Sequence, residues 1–201
     1  MSDRLSVHVI PDGPLKISGA NSAQYGGERL QIEGDLYFCR CGESSNAPFC
    51  DGSHNKVGFK GTSESPPQDE IRVWEGQTIR TFFNKKTCMH VFYCKPLKAL
   101  RERELAGDAS AAAEIMKVIS TCPSGALSYE MKTEEATPAI ASGPVCIDVI
   151  EGGEIRVQVD FDINVPMQER QATNRATLCR CGLSKNKPWC DGRHKAKRDF
   201  R

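Results

Sequence analysis

Apolar and polar residues alternate in short runs towards both ends of the chain, and a helical period replaces the alternation only near the middle. LKI and then RLQIEGDLYF alternate in the first part, and VCIDVI, EIRVQVDFDI and ATLC do so in the last, so both parts are predicted to form short β-strands. Between them IRVWEGQTIRTFF alternates like a strand or a hairpin. Ser110 to Ser120 instead sets Ala112, Ile115, Met116 and Ile119 on one helical face, with Asp108 or Ser110 as N-cap and Pro123 just past the end. Leu97 to Ala106 suggests a shorter helix that breaks at Gly107. SESPPQDE at 63–70 and TEEATPAIASG at 133–143 read as linkers. The expected fold class is therefore α+β and β-rich.

Each alternating part runs into the same sixteen-residue pattern: CRCGESSNAPFCDGSH from Cys39 to His54, and CRCGLSKNKPWCDGRH from Cys179 to His194. A shift of 140 residues superposes Cys39 on Cys179, Cys41 on Cys181, Pro48 on Pro188, Cys50 on Cys190 and His54 on His194. Gly42, Ser44, Asn46, Asp51 and Gly52 recur as well, which indicates duplication. Upstream, GPLKISG at 13–19 resembles GPVCIDV at 143–149 at a shift of 130. That match predicts about ten extra residues in the second unit, around Asn164 to Asn174. It also aligns Cys146 with Lys16, and Cys146 reads as a packing residue. The Asp-Gly steps at Asp51 and Asp191 predict a turn that starts a short helix carrying His54 or His194 on its first turn.

Composition narrows the classes. With 201 residues, 39% of them hydrophobic, two or three small units can each bury only a modest core, and bound metal would add stability. Lys plus Arg is 27 against 26 for Asp plus Glu, so net charge gives no reason to expect nucleic acid or a membrane surface. Lys195, Lys197, Arg198 and Arg201 crowd the C-terminus and read as a solvated basic tail. No stretch approaches the roughly 20 apolar residues that span a bilayer, and MSDRLSVHVIPDGP lacks a signal-peptide core. A cytoplasmic, reducing location is expected, where ten cysteines set beside His, Asp and Gly point to metal rather than disulfides.

Three cysteines and one histidine in sixteen residues are enough to close a metal site, and thiolate and imidazole both suit zinc or iron. Zinc sites usually bring in a ligand pair spaced by two to four residues, whereas here the first pair is Cys-x-Cys. Such a pair diverges on extended backbone and suits a cluster that spreads its ligands over two irons. The spacing favours a cluster and leaves open a structural zinc protein with an interaction role.

Cys39, Cys41, Ser44, Pro48, Cys50, Asp51, Gly52, Ser53 and His54 resemble the CDGSH iron–sulfur domain, or NEET, family throughout. The second copy departs only at Arg193, where that pattern has Ser, Ala or Thr. The resemblance implies two 2Fe-2S clusters, one on Cys39, Cys41, Cys50 and His54 and the other on Cys179, Cys181, Cys190 and His194, with each His-bound iron near solvent. Single-motif members are homodimers that intertwine strands, so a double-motif chain implies a monomer built as an internal pseudo-dimer. Phe49 and Trp189 read as apolar shields, Trp74 as core and His8 as an ordinary side chain.

In the middle, Cys88-x-His90-x3-Cys94 followed by a helix and Cys122-Pro-Ser-Gly-Ala resembles a divergent single-cluster 4Fe-4S ferredoxin-like segment. It implies Cys88, Cys94 and Cys122 as ligands of a third cluster, and leaves open His90 as the fourth, a three-iron cluster or an empty site. The expected organisation is a first CDGSH module over 1–65, a ferredoxin-like insert over 66–135 and a second CDGSH module over 136–201. Electron transfer or cluster transfer is the function implied, with a redox protein or an apo iron–sulfur acceptor as partner. No enzymatic role is expected, because neither a nucleotide-binding glycine loop nor a Ser-His-Asp arrangement is legible.

Overall fold

The alternation of LSVHV becomes β1 (Leu5–Val9), whose Leu5, Val7 and Val9 are buried while Ser6 and His8 are half-buried. In the computed structural model, which describes residues 5–63, 70–132, 146–165, 171–197 and 200, twelve further strands follow, and β2, β5, β9 and β10 repeat this alternation of burial. The first part continues with β2 (Leu15–Ser18), β3 (Ala23–Tyr25), β4 (Glu28–Arg29), β5 (Leu36–Phe38) and the one-turn α1 (Ser53–Lys56). The middle holds β6 (Ile71–Glu75), β7 (Ile79–Asn84), α2 (Leu97–Leu105), α3 (Ala111–Ser120) and β8 (Leu127–Met131). The last part has β9 (Ile147–Val149), β10 (Ile155–Val157), β11 (Phe161–Asn164), β12 (Gln171–Thr173), β13 (Ala176–Leu178) and a 3₁₀ turn at Arg193–Ala196. The protein is β-rich and α+β.

Two five-stranded sheets run β12-β11-β1-β2-β5 and β13-β10-β9-β3-β4. Each half gives a hairpin to the other half's sheet: β11 lies parallel to β1, and β3 lies parallel to β9. Val7 pairs with Ile163 and Ala23 with Ile147, and adding 140 to the first residue of either pair gives the last residue of the other. The antiparallel partners obey the same rule, with Leu15 opposite Phe38 and Ile155 opposite Leu178. One apolar cluster draws on both sheets, including the fully buried Val7, Leu15, Ile17, Ile147, Val149 and Ile155. Burying each such side chain stabilises the fold by about 1.5–3 kcal/mol.

These registers and strand bounds correct four readings. The shift of 140 relates β1 to β9, β2 to β10, β3 to β11 and β5 to β13, so the match at 130 is false and the second unit has no ten-residue insertion. A period of two survives a ten-residue misalignment unchanged, which is why alternation could not expose the error. Cys146 therefore aligns with Ser6, and it is buried with its thiol donating to the Ser22 carbonyl at 2.7 Å. EIRVQVDFDI is not one strand, because the chain leaves one sheet after Val157 and enters the other at Phe161. Of RLQIEGDLYF, only Arg29 and Leu36–Phe38 lie in strands.

The central segment forms its own three-stranded sheet, β6-β7-β8, backed by α2 and α3 over Ile79, Leu97, Leu100, Ile115, Ile119 and Leu127. Ile115 and Ile119 are buried and Ala112 and Met116 partly so, as the helical period predicts. Trp74 is half-buried against this core under the Arg101 guanidinium, 5.2 Å from the ring centroid. The turn between β6 and β7 is tied to α2 by the buried Glu104, whose carboxylate accepts the backbone N–H groups of Gln77 at 2.9 Å and Thr78 at 2.6 Å. Residues 64–69 and 133–143 of the expected linkers, and Arg198 and Arg201 of the basic tail, lie outside the described residues. No helix among the described residues is long and apolar enough to cross a membrane.

Candidate metal centres

Each sixteen-residue pattern leaves a strand, makes a closed loop and returns to pair with the strand's own end. Cys39 N–H donates to the Pro48 carbonyl at 2.9 Å and Cys50 N–H to Tyr37 at 2.8 Å; Cys179 to Pro188 and Cys190 to Thr177 repeat this at 2.7 and 3.0 Å. Inside the loops, Ser44 Oγ donates to the Phe49 carbonyl at 2.6 Å and Ser184 Oγ to that of Trp189 at 2.7 Å. Asp51 accepts the N–H groups of Ser45 and Ser53, and Asp191 those of Lys185 and Arg193. The bond from Ser53, with those from Ser45, holds the Asp51 carboxyl well below the usual carboxylate range. Positive φ at Gly52 (86°) and Gly192 (83°) then turns the chain so that the histidine is the second residue of the short helical turn. At the one departure from the pattern, the Arg193 guanidinium folds back on Asp191 at 3.0 Å.

The potential ligand atoms fall into two pairs per loop. Cys39 Sγ lies 3.5 Å from Cys41 Sγ, and Cys50 Sγ lies 3.3 Å from His54 Nδ1. In the second loop the corresponding separations are 3.8 Å for Cys179 and Cys181 and 3.5 Å for Cys190 and His194. A closed tetrahedral zinc site with Zn–S of about 2.3 Å would put all four ligand atoms within about 4 Å of one another. Among the described residues, the only three ligating atoms all within 4.8 Å of one another are those of Glu154, Cys190 and His194. So neither loop gathers its three cysteines and histidine around one point, and the paired arrangement fits a group with two metal positions.

The electrostatics suit thiolates that meet a cation. Burial pushes the Cys41 thiol up to about 11 and Cys190 up to about 12, and the thiol–thiol contact with Cys181 together with burial raises Cys179. Metal binding supplies the positive charge that such buried sulfurs need to ionise. Two buried arginines add to it. Arg40 donates to the carbonyls of Gly13, Gly61 and Ile10 at 2.8, 3.1 and 2.6 Å, and Arg180 donates to those of Gly153 and Ile150 at 3.4 and 3.3 Å. Burial lowers the Arg40 pKa to about 10, while Cys179 and Cys39 attract its charge; Cys39 and Cys181 act likewise on Arg180. These arginines were overlooked in the sequence, although both occupy the middle of a Cys-Arg-Cys step and recur at the shift of 140. Phe49 stacks on Phe38 at 5.6 Å and Trp189 joins the main core, so both anchor the loop to the sheets.

In the central segment Cys88, His90, Cys94 and Cys122 line one cavity, with Met89, Phe92 and Pro123. Cys88 Sγ is 3.9 Å from His90 Nδ1 and accepts the His90 N–H at 3.4 Å. Burial raises the Cys88 thiol, and the charges of Cys122 and Cys94 raise it further. His90 and Phe92 both hold positive φ, 56° and 60°, a strained backbone that turns the loop around this cavity. The segment packs on the second pattern and the strand leading into it: Asn186 Nδ2 donates to the Lys86 carbonyl, and buried Arg175, just before β13, donates to those of Ile119, Ser120 and Cys122 at 3.3, 2.6 and 3.1 Å. His8, by contrast, has Asn164 as its neighbour at 3.4 Å and belongs to no ligand group.

Comparison with known proteins agrees with this geometry. The family described as iron-binding zinc finger, CDGSH type, matches residues 12–55 and 138–195, and the one described as divergent 4Fe-4S mono-cluster matches residues 74–132. The chain is 36% identical over 66 residues to uncharacterized protein YjdI of Escherichia coli strain K12, covering 30% of this chain and 87% of that protein. The same protein in Escherichia coli O157:H7 matches equally, at 36% over 66 residues. No solved structure matches. With two matched segments that together span just over half of its residues, the chain belongs to the CDGSH-type iron-binding family.

Proposed function

We propose that this iron–sulfur protein holds two 2Fe-2S clusters, one on Cys39, Cys41, Cys50 and His54 and one on Cys179, Cys181, Cys190 and His194, and acts as a carrier of electrons or of clusters. The observation that carries the reading is the separation of each ligand set into a Cys–Cys pair and a Cys–His pair, as two irons require. Such a cluster supplies one-electron chemistry, at a potential raised by the neutral imidazole relative to an all-cysteine cluster. The chain's own residues do the rest: Asp51 and Asp191 shape the turn that aims Nδ1 inward, and Arg40 and Arg180 offset negative charge. A single labile His ligand in each set also suits release to an apo acceptor.

The reciprocal hairpins support an internal pseudo-dimer and hence a monomer in solution. A third cluster on Cys88, Cys94 and Cys122, with His90 as fourth ligand, is supported by their common cavity and by the divergent 4Fe-4S match. The partner would be a one-electron redox protein or an apo iron–sulfur acceptor, and the protein is a carrier rather than an enzyme. Iron, zinc and acid-labile sulfide per chain, measured on protein purified without oxygen, test the reading. About four iron with four sulfide is expected for the two 2Fe-2S sites, with more if the central site is filled. About two zinc and no sulfide would replace the reading with structural zinc.

A further inference from the structure

The two motif sites differ in one buried residue. Glu154, 3% exposed, places Oε2 3.5 Å from Nε2 of His194, on the side of the ring opposite the Nδ1 that faces Cys190. Its other oxygen is held by Arg156, whose Nε and a terminal nitrogen both lie at 2.8 Å. At the shift of 140 the equivalents are Pro14 and Lys16, and Lys16 pairs with Asp35 at 2.8 Å instead. Among the described residues no carboxylate lies at ion-pair distance from His54.

We propose that Glu154 is a positioning residue that makes the two sites unequal: it anchors His194 so that the second site keeps its metal group, while the first site, whose His54 has no such partner among the described residues, is the one that exchanges. A carboxylate accepting the outer N–H of a ligand imidazole fixes the ring's tautomer and orientation and strengthens its donor nitrogen, and removing such a partner typically costs 10–100-fold in metal affinity. Arg156 holds the carboxylate in place and offsets part of its charge. Burial acts in the same direction. Cys190 is 2% and His194 9% exposed, with the central segment laid over their loop, where the Met89 carbonyl oxygen comes within 3.2 Å of a β-carbon built on Gly192. Cys50 and His54 are only half-buried.

The inference rests on the cluster reading above, and its test separates the two. Full-length protein purified without oxygen is treated with an iron chelator at neutral pH, and loss of the cluster absorbance is followed in wild type, E154Q, H194C and the double variant. Wild type should bleach in two phases. E154Q should speed the slow phase about tenfold and leave the fast phase alone. In the H194C background E154Q should change nothing, because the imidazole through which Glu154 acts is gone. A slow phase indifferent to E154Q, or equal acceleration with and without His194, would overturn the proposal. A shifted charge-transfer spectrum in oxidised E154Q would overturn it too, by making Glu154 a ligand. Should E154Q fail to fold, the transplant P14E/K16R decides: it should slow the fast phase, and an unchanged fast phase rejects the idea. Colourless wild-type protein with zinc would instead remove the cluster reading beneath it.

Discussion

Gly42 faces the backbone carbonyl of Cys181 so closely that a β-carbon on it would stand 2.6 Å from that oxygen, and Gly182 faces Cys41 in the same way at 2.7 Å. The reason is the antiparallel bridge between Cys41 and Cys181, where the two motif loops meet. Both glycines also hold positive φ, 76° and 77°. Gly42→Ala therefore combines a disfavoured backbone with a backbone clash, and should cost about 2–4 kcal/mol. Urea unfolding checks this, and a midpoint within error of wild type would refute the close approach.

Arg40 yields the second prediction. Its guanidinium satisfies three carbonyls from two separate loops while standing among cysteine sulfurs. Arg40→Met should destabilise the fold by about 3 kcal/mol, since buried acceptors lose their donor. It should also lower the reduction potential of the bound clusters, because a nearby positive charge is removed. Arg40→Lys should restore the potential better than the stability, as an ammonium cannot reach three divergent acceptors at once. Paired voltammetry and urea titration separate the two effects, and equal rescue of both would contradict the geometry.

The candidate ligand residues were legible because a duplicated pattern marks the same side chains twice, and their chemistry depends on identity and spacing alone. Strand partners were not. Alternation says which face of LSVHV is buried, but the hairpin beside it comes from residues 161–173, and no local signal announces that exchange. Glu154 was invisible for the opposite reason: it breaks the repeat, standing where the first unit has Pro14. Charged residues within a strand pattern read as solvent-facing, and only the packing of His194 reveals this one as buried. Arg175 likewise gave no clue that it would reach the carbonyls closing α3.

Glu104 should make the central segment's stability depend on acid. Burial alone would raise its pKa, but the N–H groups of Thr78 and Gln77, with the Thr78 hydroxyl, outweigh burial and leave it below the ordinary glutamate value. The folded form thus binds this proton less readily than the unfolded chain. Its stabilisation is fully present above the unfolded value of about 4.3 and fades as pH falls through the lower folded value. Glu104→Gln should lose about 1–3 kcal/mol at pH 7 and show a flatter decline below about pH 4.5. Parallel pH titrations of urea stability would expose the mutation as irrelevant if the two curves ran parallel.

Replacing each histidine by cysteine tests the ligand sets and their inequality together. A thiolate adds negative charge where imidazole is neutral, so His54→Cys and His194→Cys should each lower the potential of one centre. Imidazole that leaves a metal is trapped by a proton, so cluster loss through a histidine quickens as pH falls from about 7 towards 5.5. Cysteine removes that route at its own site. Because His54 is half-buried and His194 is 9% exposed beside Glu154, loss at acidic pH should run mainly through the first site. His54→Cys should then slow bleaching at pH 5.5 by about tenfold, and His194→Cys much less. Stopped-flow absorbance across that pH range provides the measurement. Equal slowing by the two substitutions would show that the sites release alike, and no slowing by either would remove both histidines from the ligand sets.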